Sequence, residues 1–511
     1  MMSHKESGLG DDDDDDGTVG TGVEIGHGIS TSLRTRSERQ SCKEFESGDD
    51  DNKNKTVISI LKFKPELSNS LRSHLERHFK AKRLDEIVSR LAVPPRYTTL
   101  RCVKGSPREL MRKLQDRFEK VGRRFEMCVH EKVRDAVVIE SRKYDPKTTT
   151  STVKEVVVGR LCGEAVLRGA NVFARGILGI SKGTRYNDVV AITVPYEMEV
   201  ATKGSDPAAF SPCVLVGYGT MEISRSRALK HIKGDIAVRL TSCLVGLHPS
   251  LNNLFPSDCF AIGLPSMVVS HVLEPQAQEW VLDLCCGVGG KTTHISSIMK
   301  NQGLVLALDQ SRQKVKKLRD RCDVLGISNV KAFATDSKRL TDTSSLIKSD
   351  TSLKQRRDII TELLEKSKMK IPVESFPIEC FDRVLCDPPC TALGLRPRLN
   401  ITLTKEDCLS MQVFQRHFLR SSVNMLRPGG TLVFSTCTID PSENEENVRY
   451  ILDKFPNMKL ISQSPFHLAG TGLKSTSLTD KECKLVQRFD PSDIELDTAG
   501  FFIAKFIKIV V

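Results

Sequence analysis

The segment Trp280–Thr293, WVLDLCCGVGGKTT, constrains the fold more than any other. A short apolar run carries Asp283 and meets a glycine-rich turn. Lys291-Thr292-Thr293 then opens a helix predicted to run to about Lys300. A strand, a glycine turn and a helix start let backbone cradle the polar end of a nucleotide-like ligand. Spacing excludes two versions of that site. A P-loop needs glycine five residues before Gly290, where Cys285 stands. A dinucleotide fingerprint starting at Gly287 needs glycine where Thr292 stands.

From about Pro275 onward, strands and helices alternate. Leu304–Asp309, Val330–Asp336 and Phe381–Asp387 read as strands that each end in an acid, and Thr431–Thr436 as a fifth strand. Helices are predicted over Lys314–Leu325, Cys408–Leu426 and Asn444–Phe455, and Phe501–Val511 reads as a closing strand. The charged stretch 341–378 is read as an insertion with a helix near Asp358–Lys368. Repeated βα units imply an α/β, doubly wound parallel sheet with ligands at the strand C-termini. Asp283, Asp309, Asp336 and Asp387 would then share one edge. An acid ending the second strand suits the hydroxyls of a ribose, which leaves Asp336 to address a base. With phosphate cradles excluded, S-adenosylmethionine is the ligand that fits, because its sulfonium is compatible with an acidic edge.

Two cysteines end ligand-side strands, in Asp387-Pro388-Pro389-Cys390 and in Ser435-Thr436-Cys437. A lone cysteine is usually an inert packing residue. Two on neighbouring strand ends point to nucleophilic chemistry, since the thiolate is a strong nucleophile. Methylation of an unreactive pyrimidine ring carbon needs one, because attack at carbon 6 makes carbon 5 electron-rich.

Upstream, residues 1–55 are poor in large apolar side chains and are expected to form a disordered acidic tail. Residues 56–150 read as a small N-terminal α+β module. It has helices around Leu67–Leu91, a strand at Tyr97–Val103, a helix opened by Pro107 with the stripe Leu110, Leu114, Phe118 and Val121, and a strand near Val137–Ile139. Residues 151–246 carry short strands and glycine turns, the pattern of a small β-barrel, and 247–511 are assigned to the catalytic domain. The net charge of +12, despite the run Asp11–Asp16, suits an anionic partner such as nucleic acid. The 16 cysteines are scattered without a CxxC pair, so thiols rather than disulfides or a structural metal site are expected. No segment reaches the roughly 20 apolar residues of a membrane span, and Met1–Gly20 has no secretory pattern.

The strings DLCCGVGGKTTH, CDPPC, LRPGGTLVFSTCTIDPSENEENV and GFFIAKF together resemble the catalytic domain of the Sun-type RNA (cytosine-5) methyltransferases. GRLCGEAVLRGANVFARGI resembles the PUA module, an RNA-binding β-barrel, and this pairing marks one tRNA-modifying subfamily. The resemblance implies a Rossmann-like S-adenosylmethionine-dependent methyltransferase domain acting on RNA, with tRNA as substrate and mRNA left open. It implies that Cys437 is the nucleophile, that Cys390 assists product release and that Asp387 binds the cytosine and protonates its ring nitrogen 3. Backbone at Cys285, Cys286, Gly287, Val288, Gly289, Gly290 and Lys291 would hold the methionine part of the cofactor. Asp309 and Asp336 would take its ribose and adenine, with Lys314 nearby and Asp387 at the same edge. Arg168, Gly169 and Lys182 are the candidates for contact with the tRNA acceptor end. A monomer without metal, in the cytoplasm or alternatively the nucleus, completes the expectation.

The chain departs from the family in the turn, which usually reads Cys-Ala-Ala-Pro-Gly-Gly-Lys; here Cys286, Gly287 and Val288 replace the two alanines and the proline. Pro388 stands where alanine is common. The relaxed turn leaves a competing reading, a non-catalytic RNA-binding protein that keeps the fold. Methylation of an exocyclic amine is a third, since Asp-Pro-Pro occurs in such enzymes with an aromatic residue where this chain has Cys390.

Overall fold

Apolar runs of four to six residues flanked by glycine, proline and acids are buried on both faces, as in parallel sheets covered by helices. In the computed structural model, Trp280–Asp283 pairs in parallel with Leu304–Asp309 on one side and Phe381–Cys386 on the other. Val330–Ala334 extends the first side in parallel, and Leu426–Thr436 extends the second. Phe501–Lys508 adds antiparallel to Leu426–Thr436, and its outer edge is shared end to end by Val486–Phe489 and Met458–Leu460. The chain thus moves outward in opposite directions from Trp280–Asp283. The crevice between that strand and Phe381–Cys386 is the switch point at which such sheets bind ligands.

The structure describes residues 57–143, 154–196, 204–230, 234–251, 257–341, 351–372 and 376–510. The expected tail over 1–55 and part of the 341–378 insertion lie outside them. Within the insertion, Leu353–Lys366 is a helix with a Ser352/Gln355 capping box. Arg312–Leu325 is capped by Ser311 and stopped by left-handed Gly326, as the glycine predicts. Lys405–Met425 is capped by Thr404 and Asp407. A helix at Leu264–Leu273 was not anticipated. It is buried nearly all round and so lacks the apolar/polar contrast that betrays a surface helix. Phe381, Phe434, Phe502 and Phe506 are fully buried in the main core, each worth about 1.5–3 kcal/mol. Among the described residues, no helix is long and apolar enough to cross a membrane.

A second, mixed sheet runs in the order Val172–Phe173, Ile236–Cys243, Cys213–Met221, Val189–Pro195, Lys154–Val158, Ile177–Ile180. It packs around Val166 and Leu167 of the helix Arg160–Leu167, a segment read from sequence only as glycine turns. A third sheet has the order Cys259–Ala261, Tyr97–Cys102, Ala136–Glu140, Met127–Val129. The helix Pro107–Glu119 covers it with Leu110, Leu114 and Phe118. Val121, assigned to that stripe, lies beyond the helix end and is 63% exposed.

Strand pairing crosses the boundaries drawn from the sequence. Val57–Ser59, placed in the N-terminal module, pairs in parallel with the second sheet through Val57↔Cys213. Cys259–Ala261, placed in the catalytic segment, completes the third sheet through Phe260↔Arg101. Both strands are three residues long, too short for a readable alternation. Apart from Val57–Ser59, the second sheet is therefore inserted, in chain order, within the third. The two N-terminal helices, Asn69–Leu75 and Ala81–Leu91, pack instead on Leu393, Ile401, Cys408 and Ile439 of the catalytic segment.

Candidate active site

The glycine turn directly follows Asp283. Gly287 and Gly289 have φ of +54° and +89°. A Cβ on Gly289 would lie 2.2 Å from Leu318 Cδ1, so both its conformation and the packing of Arg312–Leu325 require glycine. Asp283 closes the turn from within. Thr292 Oγ1 donates to its Oδ2 at 2.7 Å and the Cys285 N–H to its Oδ1 at 3.3 Å. Burial raises the Asp283 carboxyl to about 7. Cys286 is buried, Val288 exposed, and burial pushes the Cys285 and Cys286 thiols up.

Asp309, at the end of the neighbouring strand, accepts from the Gly287 N–H at 3.1 Å and the Ser311 N–H at 2.8 Å. Lys314 Nζ is 3.7 Å from its Oδ2. The third strand stops at Ala334, so Asp336 lies in the following turn, where the Lys338 N–H caps it at 3.2 Å. A Cβ on Gly287 would meet nothing within 4 Å, which leaves open space beside this acidic edge.

Across the crevice, Asp387 and the two candidate cysteines come together. Lys291 Nζ donates to Asp387 Oδ2 at 2.6 Å, and Ser435 Oγ to Asp387 Oδ1 at 2.6 Å. Sequence reading placed Lys291 with the cofactor turn; its side chain reaches the other half of the site. Burial works against the Lys291 charge, but Asp387 outweighs it and raises the pKa. Cys390 Sγ lies 3.3 Å from Cys437 Sγ. The hydrogen bond from Cys390, helped by nearby Lys291, lowers the Cys437 thiol against its burial, and the same bond with burial raises Cys390.

The string Pro441-Ser442-Glu443-Asn444-Glu445-Glu446 explains how the two cysteine loops stay in register. Glu443 accepts from the Thr391 N–H at 3.0 Å, from the Thr391 hydroxyl, and from Gln415 Nε2 at 2.8 Å. It thereby ties the Cys390 loop to the segment after Cys437. Burial raises Glu443 to about 7. Asn444 Nδ2 donates to Thr438 O at 3.0 Å, and His74 Nε2 is 2.9 Å from Asp440 Oδ1. The Gly394 N–H donates to Cys437 O at 3.0 Å. A Cβ on Gly394 would lie 2.3 Å from Gly500 O, and one on Gly500, the glycine of GFFIAKF, 2.9 Å from Gly394 Cα, so both positions need glycine for close backbone approach. These buried acids were visible in sequence as a motif, but not as a scaffold.

The RNA candidates lie in the second sheet's segment. Arg168 is exposed after Arg160–Leu167 and lines a groove of about 790 Å³ with Tyr97, His130 and Lys132. Lys182 is exposed in the turn after Ile177–Ile180. Gly169 is buried at φ +87°, and its Cβ position lies 2.5 Å from His248 O, so it also serves a packed turn. The fifteen cysteines among the described residues are free thiols. Asp135, His271 and His294 bring ligand-type atoms within 4.8 Å of one another. Both imidazoles pair with the Asp135 carboxylate through Nε2, at 2.8 and 2.6 Å. His294 Nδ1 is buried without a partner, so the outer-shell acceptor expected of a metal-bound histidine is missing.

Residues 270–507 match the family model described as 16S rRNA methyltransferase RsmB/F. The mouse and human tRNA (cytosine(72)-C(5))-methyltransferase NSUN6 are each 34% identical over 463 residues, covering 84% of this chain and 90% and 92% of theirs. The chain belongs to the RNA (cytosine-5) methyltransferase family. The crystal structure of NSun6 from Pyrococcus horikoshii with SFG has a TM-score of 0.68 at 28% identity, covering 87% of this chain and 99% of that one. As a member of this RNA (cytosine-5) methyltransferase family, the protein is an S-adenosylmethionine-dependent enzyme with the Rossmann-like methyltransferase fold and an RNA substrate. The non-catalytic alternative is not favoured.

Proposed function

We propose that this RNA (cytosine-5) methyltransferase acts on tRNA at the acceptor end, at cytosine 72, the position named for its mammalian relatives. The observation that carries the chemistry is the Cys390–Cys437 pair, 3.3 Å apart beside the Lys291–Asp387–Ser435 chain. Cys437 adds as thiolate to carbon 6 of the flipped cytosine, while Asp387, as the carboxylic acid, gives its proton to ring nitrogen 3. Carbon 5 is then nucleophilic. S-adenosylmethionine supplies the electrophilic methyl group. Cys390 assists the elimination as the base that takes the carbon 5 proton, while the Cys437–carbon 6 bond breaks to return the thiolate and nitrogen 3 gives its proton back to the Asp387 carboxylate. Lys291 holds Asp387 in place and favours the Cys437 thiolate.

The cofactor site assigned here comprises the Cys285–Lys291 turn, Asp309 with Lys314, and Asp336. Lys291 is committed to Asp387, so the turn offers no cationic phosphate cradle, and the acidic edge suits a sulfonium and a ribose. Residues 151–246 are read as the PUA module. Arg168 and Lys182 anchor phosphates of the acceptor end there, and unpaired nucleotides are read by shape and stacking. The enzyme works as a monomer in the cytoplasm. Methylation of tRNA transcripts with S-adenosylmethionine, read by bisulfite sequencing, tests this. The expected product is 5-methylcytosine at position 72. Modification only elsewhere, or only of mRNA, would overturn the assignment of target.

A further inference from the structure

Arg101 lies in the Tyr97–Cys102 strand, outside the methyltransferase sheet, and is fully buried. Its Nη1 donates to Gly290 O at 3.1 Å and its Nη2 to Thr293 Oγ1 at 2.9 Å. These acceptors sit at the start of the helix Gly290–Ile298, directly after the glycine turn. Among the described residues no carboxylate accepts a hydrogen bond from Arg101, and its Nε is buried without a partner. Burial pushes the guanidinium down to about 10, partly offset by Asp135. Desolvating a guanidinium with no ion pair is costly, and a cation at a helix N-terminus opposes the macrodipole. A hydrophobic side chain would serve packing better.

The same third sheet grips the turn at a second place. Phe260, paired with Arg101 across the sheet, carries the Arg321 guanidinium 4.3 Å over its ring. Arg321 in turn donates to Val288 O. Phe260 and Ile262 also underlie Gly290, whose Cβ position lies 3.3 and 3.2 Å from them. The turn has three glycines and no proline, so its own sequence restricts it weakly. Gly290 is instead fastened directly from the third sheet, and Val288 indirectly, through Arg321 of the helix Arg312–Leu325, which rests on Phe260.

We infer that Arg101 is a positioning residue for S-adenosylmethionine: it presets the Val288–Lys291 turn from the N-terminal module, so that part of the cofactor site lies outside the methyltransferase domain. This rests on the reading that the turn holds the cofactor. The guanidinium also adds positive potential behind the helix N-terminus, where the carboxylate of the methionine moiety is favoured.

The test uses the full chain and four variants, Arg101→Lys, Arg101→Gln, Thr293→Val and Thr293→Ser. S-adenosylmethionine and tRNA affinities are measured by calorimetry, with hydrogen exchange at residues 287–293. Arg101→Gln and Thr293→Val are expected to weaken S-adenosylmethionine at least about tenfold, with tRNA affinity within about twofold and faster exchange in the turn. Thr293→Ser, which keeps the hydroxyl, should restore affinity, and Arg101→Lys should fall between. A purely structural role would lower the melting temperature without changing cofactor affinity, and that result overturns the inference. If the Arg101 variants do not fold, unchanged affinity in Thr293→Val overturns it alone. Failure of the wild-type protein to bind S-adenosylmethionine would instead remove the reading of the turn itself.

Discussion

Cys390 Sγ and Cys437 Sγ, carried on loops after two neighbouring parallel strands, are 3.3 Å apart, with Lys291 and Asp387 beside them. A disulfide requires about 2.05 Å between sulfurs, so little movement separates the thiol pair from an oxidised one. The low-pKa member supplies the attacking thiolate. Diamide should therefore inactivate the enzyme by taking two electrons and two protons from the pair, and dithiothreitol should restore it. Mass spectrometry of peptides containing Cys390 and Cys437 checks this. Loss of activity with both thiols still alkylatable would refute it.

The assigned roles of the two cysteines make opposite predictions. Cys390→Ala should accumulate a denaturant-resistant protein–RNA adduct in the presence of S-adenosylmethionine, because elimination stalls. Cys437→Ala should give no adduct and lose activity by at least about a thousandfold. Gel retardation under denaturing conditions reads both. An adduct in Cys437→Ala would reverse the assignment.

Lys291→Met should slow methylation by roughly tenfold to a hundredfold at neutral pH. Removing the ammonium raises the Cys437 thiol and leaves Asp387 without its cation. The rate of Cys437 alkylation by iodoacetamide should then rise only at higher pH than in the wild type. An unshifted alkylation profile would show that the lysine acts elsewhere.

Glu443 gives a pH signature in stability. Its folded pKa of about 7 is raised above the unfolded value of 4.5, so the native state holds the proton more tightly. Its contribution is full below about 4.5 and is lost as pH rises through about 7. Glu443→Gln should flatten that fall, seen in denaturant midpoints measured from pH 5 to 8. The variant should also loosen the Cys390 loop and lower kcat more than it raises KM for S-adenosylmethionine.

Four of the methyltransferase strands were legible as short apolar runs leading to an acid, and Leu426–Thr436 as an apolar run after Pro-Gly-Gly; the two cysteines stood out because they follow the last two of these runs. Local pattern cannot report pairing. Cys259–Ala261 joins Tyr97–Cys102 only through tertiary structure, and nothing in its three residues announces it. Arg160–Leu167 was hidden by glycines at both ends and inside it. Arg101 reads as one arginine among many until its burial is known. Glu443 looks like a solvated acid in a run of acids, although it is the tie between both thiol loops.

The insertion of the second sheet within the third has a consequence for biosynthesis. A ribosome delivers Tyr97–Cys102 early, but its edge partner Cys259–Ala261 emerges only after the whole inserted sheet. The N-terminal sheet therefore waits with an open edge, the kind of surface on which nascent chains aggregate. Arg101 cannot reach Gly290 and Thr293 until still later. A methyltransferase fragment excised at residue 247 would carry an orphan strand and an unfastened turn, so the catalytic segment is not a portable cassette.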